Sequence, residues 1–288
     1  MRLFLTGGTG FIGSYVLRAA LDSGHQVRAL RRSSTATPVI DLPCEPEWVT
    51  GTLQTLDPSQ MVGIDAVIHL ASAGVSPKKA TWDELLEANV VGSLRVLEIG
   101  ELAGIRRFAM AGTCHEYGAT AERYQEIPPD AALEPMNSYG ASKAAAFQLI
   151  RAFAIERDLE LFYGRIFSAY ADGQYEKNFW PSLRKAALAG EDFPMTSGQQ
   201  VSDFIPADAV ADYFVAACRR PDIKAGRPLV VNIGSGTAST LLSFAQQQWR
   251  YFEASGKLLP NHLPDRPNQI PRYVPDLSGL NISPSQQF

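Results

Sequence analysis

The 288-residue chain carries 26 basic and 30 acidic residues, so it lacks the basic surface with which nucleic-acid-binding and membrane-surface proteins neutralise phosphates. Hydrophobic residues make up 45% and charged residues 19% of the sequence, which is typical of a packed globular protein and not of a disordered one. Three scattered cysteines predict neither a disulfide framework nor a metal site. With neither a signal-peptide pattern nor a long apolar run, we expect a soluble, cytoplasmic protein.

Strands and helices alternate along the first half of the chain. Short apolar runs predict strands at residues 3–5, 27–30, 47–50, 65–71, 107–111 and 159–166. Apolar residues at helical spacing predict a helix from Gly13 to Ser23 and two more over residues 82–103 and 138–157. This alternation predicts a parallel sheet with helices on both faces, a doubly wound α/β fold of the Rossmann type.

The pattern changes after residue 166, where aromatic residues and prolines become more frequent. We predict helices over 181–189, 208–219 and 240–254, a late strand over 229–233, and irregular structure over 119–136 and in the proline-rich tail from Leu259. The sequence therefore predicts a dinucleotide-binding Rossmann domain (1–166) and a smaller, irregular substrate-binding domain (167–288). The strand at 229–233 is a candidate to rejoin the sheet of the first domain.

A glycine-rich loop, TGGTGFIG over residues 6–13, joins the first strand to the first helix. Glycine permits the tight turn and the close approach of a pyrophosphate to the backbone, and the third glycine lets the helix pack near the strand. The spacing alone also suits an ordinary turn, but its place between strand and helix favours dinucleotide binding. The predicted cofactor contacts are Gly7, Gly10, Phe11, Ile12 and Gly13.

The end of the second strand distinguishes the two nicotinamide cofactors. A carboxylate there hydrogen-bonds the adenosine ribose of NAD, whereas arginine suits the 2′-phosphate of NADP. The sequence has Arg31 and Arg32 at this place and no acid before Asp41. Guanidinium groups donate two hydrogen bonds to a phosphate, so the pair favours NADP, with NAD as the alternative if the arginines are solvated surface charges.

Tyr139 and Lys143 stand four residues apart at the start of a predicted helix, which places both side chains on one helical face. A nearby ammonium favours the phenolate and is therefore expected to lower the pKa of the tyrosine from about 10. We predict that Tyr139 is a general acid or base and that Lys143 is its electrostatic partner and a ligand of the cofactor ribose. The spacing is common on solvated helices, and the glycine loop upstream gives it weight here.

Seven segments recur in a familiar order: TGGTGFIG (6–13), VIHLAS (67–72), NVVG (89–92), GTCHEYG (112–118), YGASK (139–143), DFIPAD (203–208) and VNIGSG (231–236). In these segments the chain resembles the extended short-chain dehydrogenase/reductase family, also called the NAD-dependent epimerase/dehydratase family, over nearly its whole length. The resemblance implies an NAD(P)-dependent enzyme of the branch that modifies nucleotide sugars. It also implies a homodimer formed through the helices at 82–103 and 138–157.

The resemblance assigns roles to further residues. Thr113, four residues before a Tyr-Gly pair, is implied to hydrogen-bond the reacting oxygen. Additional cofactor contacts are implied at Leu53, Leu70, Ala71, Ser72 and Asn89, of which Asn89 equally suits a supporting structural amide. Substrate contacts are implied at Ala73, His115, Glu116, Asn178, Trp180 and Ser202. Cys114 is expected to be a small buried filler.

Four positions depart from the family pattern. Arg31 and Thr52 replace two acids near the adenosine, Ser168 replaces an asparagine, and Ser202 replaces an arginine. The last two positions commonly help to hold a substrate diphosphate, and the loss of a charge-assisted bond to phosphate weakens the case for a sugar nucleotide. Replacement cations are available at Arg184, Lys185, Lys78 and Lys79.

The leading hypothesis is an NADPH-dependent reductase of a keto group on a nucleotide-linked 4-keto-6-deoxy sugar. The alternatives are an epimerase that retains NAD and a reductase of a non-nucleotide ketone or aldehyde. Dehydration is disfavoured, because Cys114 and His115 stand where dehydratases of the family carry an acidic pair. A catalytically silent dinucleotide sensor is disfavoured as well, because both Tyr139 and Lys143 are present.

Overall fold

The structure, a computed structural model of the protein, describes residues 1–75, 79–265, 267 and 270–280. Its strands are β1 (Arg2–Thr6), β2 (Gln26–Arg31), β3 (Glu47–Thr50), β4 (Ala66–His69), β5 (Arg107–Thr113), β6 (Glu160–Ile166), β7 (Ser168–Tyr170), β8 (Phe193–Pro194), β9 (Val201–Pro206), β10 (Leu229–Ile233), β11 (Ala238–Thr240), β12 (Leu258–Leu259) and β13 (Arg272–Tyr273). Its α-helices are α1 (Phe11–Asp22), α2 (Trp82–Leu85), α3 (Gly92–Leu102), α4 (Ser138–Glu156), α5 (Phe179–Ala189), α6 (Ala207–Ala217) and α7 (Leu241–Tyr251).

The centre of the molecule is a seven-stranded sheet with the order β10-β6-β5-β4-β1-β2-β3. Every neighbouring pair in it is parallel, and Leu5 at its middle lies opposite Ala29 on β2 and Ile68 on β4. The strand order reverses at β1, where β2 lies on one side and β4 on the other. The predicted Rossmann-type fold is confirmed, and in such sheets ligands bind beyond the carboxyl ends of the strands, at this reversal.

Both faces of the sheet are buried, as its apolar strands require. Leu3 and Leu5 point to one face, where α1 and α6 pack, and Phe4 between them points to the other, where α3 and α4 pack. Each of these three side chains is fully buried. The continuous apolar runs of the strands therefore encode a sheet that is covered on both sides.

The chain beyond residue 166 contributes both to the large sheet with its helices and to a smaller part of the molecule. β10 returns to the large sheet beside β6, as the late strand was expected to do, and α6 packs against α1. The rest forms a smaller part in which a sheet of β7, β9, β11 and β13 lies with α5, α7 and the short pair β8–β12. Residue 166 therefore marks the point where the chain first leaves the large sheet, and later segments cross back.

Three local predictions need correction. The helix predicted over 82–103 is helical from Trp82 to Leu102, but its middle, Leu86–Val91, is a π-helix. Residues 119–136, predicted as a loop, include a short 3₁₀ helix at Ala119–Arg123. The described part of the tail is not wholly irregular, because β13 pairs with β9.

Candidate active site

The glycine loop forms the tight turn that its sequence predicts. Gly7 has a φ of +80°, its carbonyl accepts a hydrogen bond from the Gly10 N–H at 2.9 Å, and Gly10 caps α1. A Cβ atom at Gly13 would lie 1.9 Å from the Gly7 oxygen, so α1 can approach β1 this closely because residue 13 is glycine. A Cβ atom at Gly10 would lie 3.2 Å from the Gly7 oxygen, and within 4 Å it would meet no other of the described atoms outside the adjoining backbone. This is a cradle that a side chain would fill, and it fits a dinucleotide pyrophosphate.

The loop after β4 lies against this turn. A Cβ atom at Gly7 would be 2.6 Å from the Ala71 nitrogen, so Leu70 and Ala71 pass directly beside the glycine loop. Asn89 then holds the next two residues: its Oδ1 accepts from the Ser72 hydroxyl at 3.0 Å and the Ala73 N–H at 2.8 Å.

The Asn89 amide group is fully committed, since its Nδ2 donates to the Ala73 oxygen and to the Ser142 hydroxyl. The side chain is completely buried. The supporting structural amide, one of the two roles considered, fits the structure, because each polar atom of the side chain already has hydrogen-bond partners. The π-helix around residue 89 belongs to this arrangement, because a π-bulge redirects a side chain relative to a regular helix.

Arg31 lies at the predicted place, at the carboxyl end of β2. Its guanidinium carbon is 5.0 Å from the ring centre of Trp48 on β3, and its Nε is buried without a hydrogen-bond partner among the described residues. Arg32 is exposed. An unpaired, partly desolvated guanidinium suits an anion. Leu53, by contrast, is a core residue that packs against Gly92 of α3.

Thr113, Tyr139 and Ser72 meet at the carboxyl ends of the strands. Thr113 ends β5, and Tyr139 lies in the first turn of α4, which Asn137 caps through a 2.8 Å bond from the Gly140 N–H. A Cβ atom at Gly140 would be 2.5 Å from the His115 oxygen, so the glycine after the tyrosine allows α4 to approach the end of β5. The Tyr139 hydroxyl consequently lies near the hydroxyls of Ser72 and Thr113.

Lys143 lies one turn after Tyr139 and is almost entirely buried, with Nζ donating to the Ala111 oxygen at 2.8 Å. Burial lowers the pKa of this ammonium, and the nearby Glu116 carboxylate partly offsets the effect. An ammonium has three N–H donors, of which the structure pairs this one within the described residues, so Lys143 retains donors for a further ligand.

The net pKa shift of Tyr139 is opposite in direction to the one expected from Lys143 alone. Burial raises the pKa of Tyr139 to about 12, against which the nearby Ser72 and Thr113 hydroxyls act in the lowering direction. The physical reason is that loss of hydration disfavours the phenolate more than the surrounding donors stabilise it. Tyr139 is therefore held as a neutral phenol, which is the form that donates a proton.

Glu116 does not face the substrate cleft as expected. It is fully buried, and its Oε2 accepts from Arg165 Nε at 2.6 Å. Its Oε1 accepts from the Thr113 N–H and the Tyr163 hydroxyl, each at 2.9 Å. A carboxylate at this depth requires such partners, so the position next to the Tyr-Gly pair carries a buried ion pair with β6 and no substrate contact.

His115 takes the position on the cleft side of the same turn. Its imidazole is exposed, and it packs edge-on against the rings of Tyr139 and Tyr273, with ring centres 6.2 and 6.1 Å away. Packing against these two rings partly desolvates the imidazole, which lowers its pKa. Cys114 on the other side of the turn is buried, which raises the pKa of its thiol to about 12.

Of the three candidates from the smaller part, two lie at the start of α5 and one on β9. Trp180 is largely buried, donates from Nε1 to Gln248 Oε1 at 3.0 Å in the packing of α5 against α7, and lines the cavity beside α5. Asn178 caps α5 without a side-chain hydrogen bond, and Ser202 lies half-buried on β9. The expectation that Phe179 is a core residue of this part fits the structure, where it packs on Phe193.

A cavity of about 510 Å³ opens beside α5. Its charged lining consists of Asp172, Glu176, Arg184 and Lys185. Arg184 is partly neutralised, because its Nε lies 3.3 Å from Asp172 Oδ1. Of the other two candidate cations, Lys79 is exposed and Lys78 lies outside the described residues.

Sequence reasoning missed Trp48, Tyr273 and Arg165. Trp48 and Tyr273 are single aromatic residues in short strands, and nothing in their neighbourhood signals a ligand site. The pairing of Arg165 with Glu116 joins residues 49 positions apart. Only the sheet register, in which Gly112 lies opposite Arg165, brings them together.

Comparison with known sequences assigns this arrangement to a family. The sequence model of the NAD dependent epimerase/dehydratase family matches residues 3–234. The chain belongs to that family. As a member of the NAD dependent epimerase/dehydratase family it is an NAD(P)-dependent enzyme of the extended short-chain dehydrogenase/reductase type.

Individual family members are similar over most of their length. The dTDP-glucose 4,6-dehydratase of Streptomyces niveus is 28% identical, over 100% of this chain and 89% of its own. The dTDP-6-deoxy-L-talose 4-dehydrogenase (NAD(P)(+)) of Kitasatospora kifunensis is 29% identical, over 83% and 75%. The structure of MoeE5 in complex with UDP-glucuronic acid and NAD superposes with a TM-score of 0.80 at 27% identity, over 96% and 90%. Within the part of the chain that the structure describes, no helix combines the length and the apolar character needed to cross a membrane.

Proposed function

We propose that the protein is an NADP(H)-dependent reductase of a keto group on a nucleotide-linked 4-keto-6-deoxy sugar. The observation that carries the proposal is the grouping of Thr113 at the end of β5 with Tyr139 in the first turn of α4, one helical turn from the buried Lys143. The unpaired Arg31 at the end of β2 supports the choice of NADP over NAD. A similar enzyme from Kitasatospora kifunensis is named as an NAD(P)(+) dehydrogenase of a 6-deoxy sugar nucleotide, which supports the substrate class.

The residues present fit a nicotinamide dinucleotide. Gly7, Gly10 and Gly13 form the open cradle for the pyrophosphate, and Arg31 would hold the 2′-phosphate. Lys143 would hold the nicotinamide ribose through its remaining N–H donors. When bound, the cofactor supplies the hydride that reduces the carbonyl carbon.

The hydroxyls of Tyr139 and Thr113 act on the oxygen of that carbonyl. As negative charge develops on the oxygen, the Tyr139 hydroxyl donates its proton and the Thr113 hydroxyl donates a hydrogen bond. The raised pKa of Tyr139 keeps this proton in place until an alkoxide, a far stronger base, forms beside it. The positive charge of Lys143 stabilises the phenolate that remains.

Dehydration is a poorer fit to the same site. Elimination of water from a sugar requires a group that removes a proton and a second group that protonates the leaving hydroxyl. Cys114 stands in the place of one such acid, and burial holds its thiol neutral with a pKa of about 12, too weak an acid for that task. Glu116, the nearest carboxylate, is committed to Arg165.

We further propose a homodimer formed through α3 and α4 and the π-helix before them. These elements pack on each other and leave apolar side chains on the outside, namely Leu86, Val91, Leu102 and Leu149, each at least 46% exposed. Several exposed apolar side chains on packed helices are typical of a protein–protein contact.

The first experiment is to purify the protein without added cofactor, denature it, and identify any nucleotide released. An empty site or bound NADP(H), together with oxidation of NADPH by dTDP-4-keto-6-deoxyglucose, is the expected result. Tightly bound NAD with no net oxidation of NADPH would contradict the proposal and favour an epimerase that recycles its cofactor. Oxidation of NADPH by a simple ketone but not by the nucleotide sugar would contradict the substrate class.

A further inference from the structure

Trp48 lies beside Arg31 at the edge of the large sheet and has no part in the proposed reduction. It stands on β3, the last strand of that sheet, directly opposite Ala29 of β2. Because side chains alternate along a strand, Trp48 shares a face of the sheet with Ala29 and with Arg31, two residues further along β2. The guanidinium carbon of Arg31 lies 5.0 Å from the centre of the Trp48 ring, which is within the range of a cation–π contact.

The indole of Trp48 is fixed by contacts that do not involve Arg31. Its Nε1 donates a hydrogen bond to Glu45 Oε2 at 2.7 Å. Its ring packs against the apolar core on the side of the sheet that α1 covers, and the side chain is half-buried. The indole is therefore a firm surface on which a guanidinium can rest.

The Arg31 guanidinium has no competing anionic partner among the described residues. Its Nε is buried without a hydrogen-bond partner, and it takes part in none of the ion pairs of the described chain. Two acids on or next to β3 are engaged elsewhere, Glu45 by the indole and Glu47 by an ion pair with Arg28 at 2.8 Å. The positive charge of Arg31 thus remains available to an anionic ligand while its side chain rests on the indole.

We propose that Trp48 is a positioning residue for cofactor choice, whose indole holds the Arg31 guanidinium in place for the 2′-phosphate of NADP(H). A free arginine side chain has many rotamers, and binding a phosphate removes that freedom at a cost in affinity. Stacking on the indole removes part of it before the cofactor arrives, so the cost on binding is smaller. Trp48 acts through Arg31 and touches neither the phosphate nor the reacting atoms. The inference rests on the proposed function, because it requires a cofactor with a 2′-phosphate.

The test is a double-mutant cycle on cofactor affinity. Titration calorimetry at one ionic strength measures the binding of NADPH and of NADH, which differ only in the 2′-phosphate, so the result does not depend on turnover. Trp48→Leu keeps an apolar side chain and removes the aromatic face. An exposed cation–π contact corresponds to about 2–5-fold in a binding constant, so NADPH should bind that much more weakly and NADH equally well. In an Arg31→Ala background, the same substitution should change neither affinity.

Three further variants serve as rescue, substitute and control. Trp48→Phe restores an aromatic face and is expected to return the NADPH affinity to within about twofold of wild type. Trp48→Ile, whose branched side chain suits a strand, is the second variant if Trp48→Leu does not fold. Trp82→Leu is the matched control, because Trp82 is an exposed tryptophan on α2, and it leaves both affinities unchanged.

The outcomes separate this inference from the choice of NADP(H) itself. Equal weakening of both cofactors by Trp48→Leu would show a merely structural role and overturn the inference. An NADPH affinity that stays the same or rises, or an effect that persists without Arg31, would overturn it as well. Each of these results leaves the NADP(H) proposal intact when the wild type binds NADPH more tightly than NADH. A wild type that binds both cofactors equally well would overturn both.

Discussion

Tyr139 carries the proton transfer of the proposed reduction, and its environment makes a specific prediction. The Tyr139→Phe variant keeps the ring that packs against His115 and loses the hydroxyl that lies near Ser72 and Thr113. We expect kcat to fall by about 10²–10⁴-fold, as for loss of a general acid, with NADPH affinity within a few-fold of wild type. Steady-state kinetics and a binding titration measure the two effects.

The matched control is Tyr251→Phe, which removes the hydroxyl of an exposed tyrosine on α7. It is expected to leave both quantities unchanged. A Tyr139→Phe variant with wild-type turnover would contradict the proton-transfer role and would favour a dinucleotide sensor.

In the proposed function, Arg31 determines the preference for NADP(H) over NAD(H). The Arg31→Ala variant removes a guanidinium whose Nε has no partner among the described residues. A hydrogen bond to a charged group contributes about 1.5–3 kcal/mol, so NADPH should bind about 10–100-fold more weakly while NADH affinity changes little. Titration calorimetry with both cofactors, using Arg250→Ala on α7 as an exposed control, measures the change. Equal weakening of both cofactors would show that Arg31 does not contact the 2′-phosphate.

At the scale of elements, the Glu116–Arg165 pair fastens the turn after β5 to β6. Breaking a buried pair from one side leaves an uncompensated charge and costs about 3–5 kcal/mol. Glu116→Gln should therefore lower the free energy of unfolding by roughly that amount, whereas the double variant Glu116→Gln/Arg165→Met should lose much less. Urea unfolding of the three proteins provides the comparison. A double variant less stable than the single would mean that the pair itself, and not the unpaired charge, determines the loss.

The sequence predicted most elements well where one physical signal decided them. The turn around Gly7 and Gly13 follows from steric requirements, and β1 and β10 follow from apolar runs that a buried parallel strand needs. The π-helix at Leu86–Val91 escaped prediction because its sequence keeps ordinary helical periodicity. The four hydrogen bonds of Asn89 at this point involve residues 16, 17 and 53 positions away.

At the scale of the whole molecule, the burial of His69 is expected to lower the free energy of unfolding at acidic pH. It is buried between the Thr6 and Ser93 hydroxyls, and burial lowers its pKa from 6.5 to about 3. Between pH 6.5 and 3 the unfolded chain binds this proton and the folded one does not, so this contribution to stability is present above pH 6.5 and is lost as the pH falls. The loss is on the order of a few kcal/mol at most.

Urea unfolding at pH 7.0 and about pH 4.5 tests this contribution. The free energy of unfolding should fall less steeply with decreasing pH in His69→Gln than in wild type. His262→Gln, at an exposed histidine, should retain the wild-type slope. Identical slopes in all three proteins would mean that His69 is not held neutral by the fold.

The substrate region is the part of the molecule that the sequence predicted least well. Trp180 packs between α5 and α7, and Glu116 forms a buried ion pair with Arg165. Neither contact could be predicted from the sequence, because burial depends on how the later segments fold back. The catalytic group was predictable, since Thr113, Tyr139 and Lys143 lie at the carboxyl ends of parallel strands or on the helix beside them, and the fold fixes that edge. In the smaller part, no comparable rule predicts from the sequence which residues line the substrate cleft.

The most direct test of the central claim is the fate of the hydride. The protein is mixed with dTDP-4-keto-6-deoxyglucose and NADPH deuterated at the nicotinamide C4, and the sugar is analysed by mass spectrometry and NMR. The account predicts one deuterium on the former carbonyl carbon for each NADP⁺ formed. A change of stereochemistry in the sugar with no deuterium incorporated and no NADPH consumed would contradict it.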